Sequence, residues 1–156
     1  MTEGNGRAGS GQWLDRNAMM LVRVSIGIVF IWFGALKCIP GMSPAEDLAG
    51  KTLGILTFHL VREDIMVRIL GGAELLLGAG FVIGRGMRVL LWAFFIHMAG
   101  TLTPLVLLPR DTFACPPYCL TLTGQYIIKN LVFITAALLL VRFERIRPRE
   151  RAPGIS

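Results

Sequence analysis

Four long apolar stretches constrain this chain more than any other feature of its sequence. They run over about residues 18–36, 65–84, 89–108 and 126–141. Each approaches the roughly 20 residues that a helix needs to cross a bilayer, and each lacks the polar outer stripe of a helix in a water-soluble bundle. The hydrophobic content of 54% also exceeds that of ordinary soluble domains. The sequence therefore predicts an all-α membrane protein, with four transmembrane helices forming one bundle within residues 13–142.

The segments between and beyond the spans differ from them in composition. Residues 1–12 are rich in glycine and polar residues, and we expect them to be disordered in the cytoplasm. Residues 143–156 form a basic cytoplasmic tail. In the first outer loop, Ser43-Pro44-Ala45-Glu46 is typical of a capping box with proline at the first helical position. It predicts a short interfacial helix in that loop.

The basic residues are distributed unevenly between the two sides of the predicted bundle. If the N-terminus is cytoplasmic, nine lie on the inner side, five on the outer side and two within the spans. The positive-inside rule therefore predicts that both termini are cytoplasmic. The net charge of +6 is then explained by topology. We interpret the arginine-rich tail as an anchor that touches anionic lipid, and we expect no nucleic-acid partner.

The second span carries a carboxylate, Glu74, near its middle. Gly71 and Gly78 share its helical face, where small residues let a neighbouring helix come close. An ionisable group in the membrane core costs roughly 2.5–3.5 kcal/mol, so it should have a partner or a role. Two interpretations stay open, a functional site and a buried structural ion pair.

One ionisable side chain is singled out in each predicted span, namely Arg23, Glu74, His97 and Lys129, while Arg68 near the outer end of the second span is counted with the outer side. Helix rise places Glu74 and His97 at similar depth near the bilayer midplane, where we predict that they handle protons. Around them we predict a pocket for a polar head group such as a quinone carbonyl, lined by Arg23, Thr101, Gln125 and Lys129. The alternative is a structural network in which Arg23 extends to the head groups and His97 is a hydrogen-bonded packing residue.

The three cysteines all fall on the predicted outer side, in a compartment that permits disulfides. Cys115 and Cys119 flank two prolines and could pair with each other, or Cys38 could pair with either. The functional interpretation assigns Cys115 and Cys119 to thiol–disulfide exchange with an electron donor. The alternative is a structural staple or three unrelated thiols. We expect no metal site, because a set of four ligands cannot be assembled from these residues.

Four segments resemble the DoxX-like superfamily of small four-helix membrane proteins, most closely its reactive-chlorine-resistance branch. They read LVRVSIGIVFIWFGALKCIPG, GGAELLLGAGFVIG, TLTPLVLL and GQYIIKNLVFITAALLL, and together they cover most of residues 20–141. The positions that match the family pattern are Arg23, Gly34, Lys37, Glu74, Thr103, Pro104, Gly124, Gln125, Lys129 and Asn130. The chain departs from that branch in its shorter first outer loop and in its own Cys-Pro-Pro-Tyr-Cys segment.

The resemblance implies a multi-pass protein of the bacterial inner membrane. Some relatives are subunits of thiosulfate:quinone oxidoreductase, and others are linked to oxidative-stress resistance or to maturation of periplasmic enzymes. We therefore expect a quinone-linked redox protein, acting alone or as the membrane subunit of an oxidoreductase, with a quinone and no covalent cofactor. The alternatives are a non-catalytic accessory subunit packed against other membrane or periplasmic subunits, and a proton or small-solute pathway formed by a homo-oligomer.

Overall fold

The computed structural model describes residues 5–146, which form an all-helical bundle with one small hairpin. The elements in chain order are α1 (Asn5–Cys38), α2 (Glu46–Leu56), α3 (Glu63–Ile83), α4 (Met87–Leu102), α5 (Pro104–Leu107), α6 (Pro109–Thr112), β1 (Phe113–Cys115), β2 (Cys119–Leu120) and α7 (Leu122–Ile146). The segments long and apolar enough to cross a membrane are Asn17–Cys38, Glu63–Ile83, Met87–Leu107 and Leu122–Glu144. The predicted four-helix membrane bundle is confirmed.

The four long helices alternate in direction, so the bundle has two distinct ends. One end, here called the hairpin end, carries α2, α5, α6 and the antiparallel pair β1–β2, in which Phe113 lies opposite Leu120. The other, called the terminal end, carries the start of α1, the Gly84–Gly86 turn between α3 and α4, and the end of α7. The most extensive helix contact lies between α1 and α3.

Two helices begin earlier than the sequence predicted. Helix α1 starts at Asn5, so residues 5–12 are helical where we expected disorder, because a formed helix extends at one new hydrogen bond per added residue. Helix α7 starts at Leu122, where the Thr121 hydroxyl accepts the Gly124 N–H at 3.1 Å and caps the first turn. Residues 1–4 and residues 147–156 of the basic tail lie outside the described residues.

The third span is interrupted at Pro104. Helix α4 ends at Leu102 and Pro104 opens α5. A proline cannot donate to the carbonyl four residues before it, which here is that of Gly100. The Thr103 hydroxyl donates to that carbonyl at 2.7 Å, so the freed acceptor is satisfied within the span.

Helix α2 confirms the short helix predicted for the first loop, although it begins differently. Its N-cap is Ala45, and no side chain caps the helix there, so the predicted capping box does not form. The carboxylate of Glu46 instead turns back and accepts the Gly41 N–H at 2.7 Å. Gly50 and Gly54 lie against Glu63, which lets α2 pack closely on the start of α3.

The apolar core lies between the terminal end and the middle of the bundle. Phe81 and Phe94 are fully buried at its centre, with ring centroids 5.3 Å apart. Phe30 packs against the Phe94 ring at 5.4 Å and carries this aromatic layer toward the middle of the bundle. The core thereby lies directly on the terminal-end side of the buried Glu74 carboxylate.

Candidate functional site

Two glycine contacts bring α1 and α3 unusually close together. A Cβ atom on Gly34 would lie 2.8 Å from the Gly71 carbonyl oxygen, and a Cβ on Gly78 would lie 2.7 Å from the Gly27 oxygen. Both distances are far below van der Waals contact, so only glycine fits at these positions. The close approach places side chains at the edge of this contact directly against the neighbouring helix.

Because α1 and α3 are so close, the Lys37 side chain contacts the buried carboxylate of Glu74. Its Cβ lies 2.9 Å from the Cβ position of Gly71, and its Nζ lies 2.7 Å from Glu74 Oε2, one turn deeper in the bundle. The two side chains are only 10% and 8% exposed. Helical side chains lean toward the N-terminus of their own helix, so in this antiparallel pair the two groups lean toward each other.

His97 meets the same carboxylate from α4. Its Nε2 lies 3.4 Å from Glu74 Oε1, and the histidine side chain is 9% exposed. The Phe30 ring packs edge-on against the imidazole, with centroids 5.5 Å apart. Three of the four long helices thus converge on one carboxylate, with an ammonium on one oxygen and an imidazole on the other. We call Lys37, Glu74 and His97 the carboxylate network.

Thr101 lies one turn beyond His97 on the same helix, as predicted, but it serves a different contact. Its hydroxyl donates to the Met98 carbonyl at 2.8 Å and accepts from the Asn130 amide at 3.3 Å. Thr101 therefore links α4 to α7 near the carboxylate network, through hydrogen bonds to Met98 and Asn130.

The structure does not bring Arg23, Gln125 or Lys129 to Glu74, which corrects the predicted pocket. Arg23 leans toward the terminal end, where its guanidinium occupies the space that a Cβ on Gly84 would fill, against the last turn of α3. A cation is favourable at a helix C-terminus because it faces the negative end of the helix dipole. Arg23 is therefore best interpreted as a helix-end residue.

Helix α7 directs outward the two of its residues that were predicted to line the pocket. Gln125 and Lys129 are exposed, and the Lys129 ammonium lies 5.0 Å from the centroid of the Tyr126 ring. The buried face carries Gly124, Ile127, Ala137 and Leu140. The signal for this face was present in the sequence, because Gly124 and Ile127 are three residues apart and Asn130 continues the same line.

The two cysteines predicted to be catalytic lie away from the carboxylate network. Cys115 and Cys119 face each other across the exposed β1–β2 hairpin, with Cα atoms 4.8 Å apart and sulfurs at bonding distance. Cys38 is exposed at the end of α1 and is unpaired among the described residues. Glu74 lies eleven residues into α3, about 16 Å along the helix from its start at the hairpin end. The predicted catalytic set therefore divides into two separate sites.

His97 also faces a groove between α3 and α4 on the outer wall of the bundle. The groove has a volume of about 600 Å³ and is open to the surroundings. We call the end of the groove near the middle of the span its deep end, where Ala73, Ile96 and His97 line it. We call the end at the terminal end of the bundle its mouth, where Arg85 lines it. The imidazole thus lies between the buried carboxylate and a surface that faces lipid when the helices span a membrane.

Sequence reasoning missed Lys37 as the partner of Glu74. Its Cα lies in the last turn of α1, one residue beyond the predicted first span, so residue number alone indicates the outer edge of the bundle. The available signal was its spacing, because Lys37 follows Gly34 by three residues and shares the face that the glycines pack against α3.

These features define a four-helix membrane protein with a buried lysine–carboxylate–imidazole network at mid-span. Comparison with protein-family models, with curated proteins and with solved structures finds no match to the chain.

Proposed function

We propose that this chain is a DoxX-like, quinone-linked redox protein of a bacterial inner membrane, in which Glu74 and His97 exchange protons with a quinone. The observation that carries the proposal is the position of His97. Its imidazole contacts a carboxylate sealed inside the bundle and also lines the deep end of the lipid-facing groove. Both termini would be cytoplasmic, and the hairpin would face the periplasm.

The chemistry divides into a proton part and an electron part. Reduction of a quinone to a quinol consumes two electrons and two protons, and a thiol or thiosulfate donor supplies the electrons as it is oxidised. His97 would give a proton to the quinone carbonyl oxygen, and Glu74, after taking up a proton from the aqueous side, would return it to the imidazole and become a carboxylate again. A second cycle of the same transfer would supply the second proton of the quinol. Lys37 would balance the carboxylate charge during this exchange. Because the cysteine hairpin lies away from Glu74, we assign electron delivery to a partner subunit.

The experiment is to purify the protein with its associated subunits, extract bound quinone, and measure quinone reduction with thiosulfate or dithiol donors. We expect the isosteric Glu74→Gln variant to lose at least tenfold in rate, because general acid–base groups contribute about 10²–10⁴-fold. Glu144→Gln is the matched control, since Glu144 is exposed near the end of α7. Absence of bound quinone together with full activity of Glu74→Gln would leave the accessory-subunit alternative.

We also propose that Cys115 and Cys119 form a disulfide in the mature protein, leaving Cys38 as a thiol. Labelling of the denatured protein with a maleimide polymer should then add one label before reduction and three after it. The Cys38→Ser variant, as control, should take none before reduction. Three labels on the unreduced wild-type protein would contradict the pairing.

A further inference from the structure

We propose that the mouth of the α3–α4 groove is a binding site for an anionic phospholipid. The phosphate would lie at Arg85 and one acyl chain would follow the groove toward Ala93. The inference is independent of the proposed redox function, because the quinone would meet His97 at the opposite, deep end.

The wall of the groove suits a hydrocarbon chain. Between the deep end and the mouth, the groove is lined by Leu76, Leu77, Val89, Leu90 and Ala93. Leu76 and Val89 are each 76% exposed, so this part of the wall is open to lipid. Ala93 is exposed in this wall, so a larger side chain at its position would extend into the groove.

The mouth of the groove concentrates positive charge. Arg85 lines it directly, and Arg88 is exposed in the first turn of α4. The Arg23 guanidinium lies against Gly84 in the same turn. Three arginines at one short turn attract an anionic head group, each basic residue near a membrane surface contributing to that attraction.

The backbone of the turn adds to this attraction. Gly84 and Gly86 both have left-handed backbone angles, with φ of 74° and 65°, and hold Arg85 between them. Gly86 is the N-cap of α4 and has no side chain with which to cap the helix. The positive end of the helix dipole is therefore presented beside Arg85, where an anion is favourable.

The depth of the groove in the membrane favours a lipid over a soluble anion. Ala93 lies six residues into α4, about 9 Å along the helix from its start, and Arg85 lies in the turn just before that start. That length lies within the roughly 15 Å of one hydrocarbon leaflet. A head group at the arginines thus places its own chain in the groove, at the depth that a leaflet lipid naturally occupies.

Native mass spectrometry of the whole protein in detergent can test this, using phosphatidylglycerol and phosphatidylcholine with identical chains. We expect wild-type protein to prefer the anionic lipid, and the Arg85→Gln/Arg88→Gln variant to lose about 25-fold in that preference. The figure follows from about fivefold per arginine. Arg110→Gln, an exposed arginine at the hairpin end, is the charge control and should keep the wild-type preference.

A second pair of variants tests the groove itself. Ala93→Phe should fill the channel and reduce binding of both lipids at least tenfold. Ala99→Phe, at an exposed position of α4 that does not line the groove, should bind as wild type. Equal binding of the two lipids by wild-type protein, or an unchanged preference in the arginine variant, would overturn the proposal. Should Ala93→Phe fail to fold, the arginine variant alone decides the result.

Discussion

Removing one member of the Lys37–Glu74 pair is expected to destabilise the bundle more than removing both. Lys37→Met or Glu74→Gln alone should each lower the free energy of unfolding by about 3 kcal/mol, because each leaves a buried group without its partner. The double variant should lie within about 1 kcal/mol of wild type, since two neutral side chains carry no uncompensated charge. The measurement is equilibrium unfolding in mixed micelles with increasing dodecyl sulfate, followed by circular dichroism.

The chain provides a matched control for this cycle. Asp47 and Lys51 form an ion pair of the same 2.7 Å length on α2, with side chains 81% and 43% exposed. The Asp47 hydrogen bond raises the pKa of Lys51, but solvent screens such exposed pairs. Asp47→Asn should therefore leave the stability close to that of the wild type. Single variants of the buried pair that cost no more than Asp47→Asn would show that Lys37 and Glu74 do not stabilise each other.

The second large effect is expected where α1 and α3 touch. Gly71→Ala would place a Cβ 2.8 Å from the Gly34 carbonyl oxygen and 2.9 Å from Lys37 Cβ, so the two helices would have to separate. We expect a loss of about 1–3 kcal/mol, the usual cost of overpacking. Gly72→Ala is the control on the next residue, where a Cβ would meet nothing within 4 Å. It should be neutral or slightly stabilising, because alanine favours helix.

The same unfolding measurement distinguishes the two alanine variants. Both add one methyl group to the same helix, so a difference between them reports the helix contact alone. Equal stability of Gly71→Ala and Gly72→Ala would mean that α1 and α3 are not packed through their glycines. The Gly71→Ala change should also weaken the Lys37–Glu74 pair, since the lysine stem passes directly over this position.

The sequence predicted the main elements of the fold and two of the three residues of the carboxylate network. Hydropathy located the four spans, because their length is imposed by the bilayer. Glu74 and His97 were predicted at similar depth, since helix rise converts residue number into height. Lys37 lies one residue beyond the predicted first span, and its residue number does not show that its long side chain leans inward and puts the ammonium a turn deeper.

The remaining errors have a common physical origin. Gln125 and Lys129 were predicted to line the pocket, but both are exposed on the outside of α7. Gln125 and Lys129 lie near the start of α7 at the hairpin end, where a polar side chain can reach the interface without entering the bundle. Arg23 similarly leans toward the terminal end. The orientation of Lys129 and Arg23 therefore follows from their depth along the helix, which residue type alone does not reveal.

The equal spacing of the contact glycines has a further consequence for the alignment of α1 with α3. Gly27 and Gly34 are seven residues apart, as are Gly71 and Gly78. Sliding one helix by seven residues would therefore preserve one close glycine contact, so glycines alone permit more than one register. In the two slipped arrangements, Lys37 would face Phe81 or Val67 and Glu74 would lose its ammonium. The ion pair therefore selects a single register from alignments that backbone shape alone would accept.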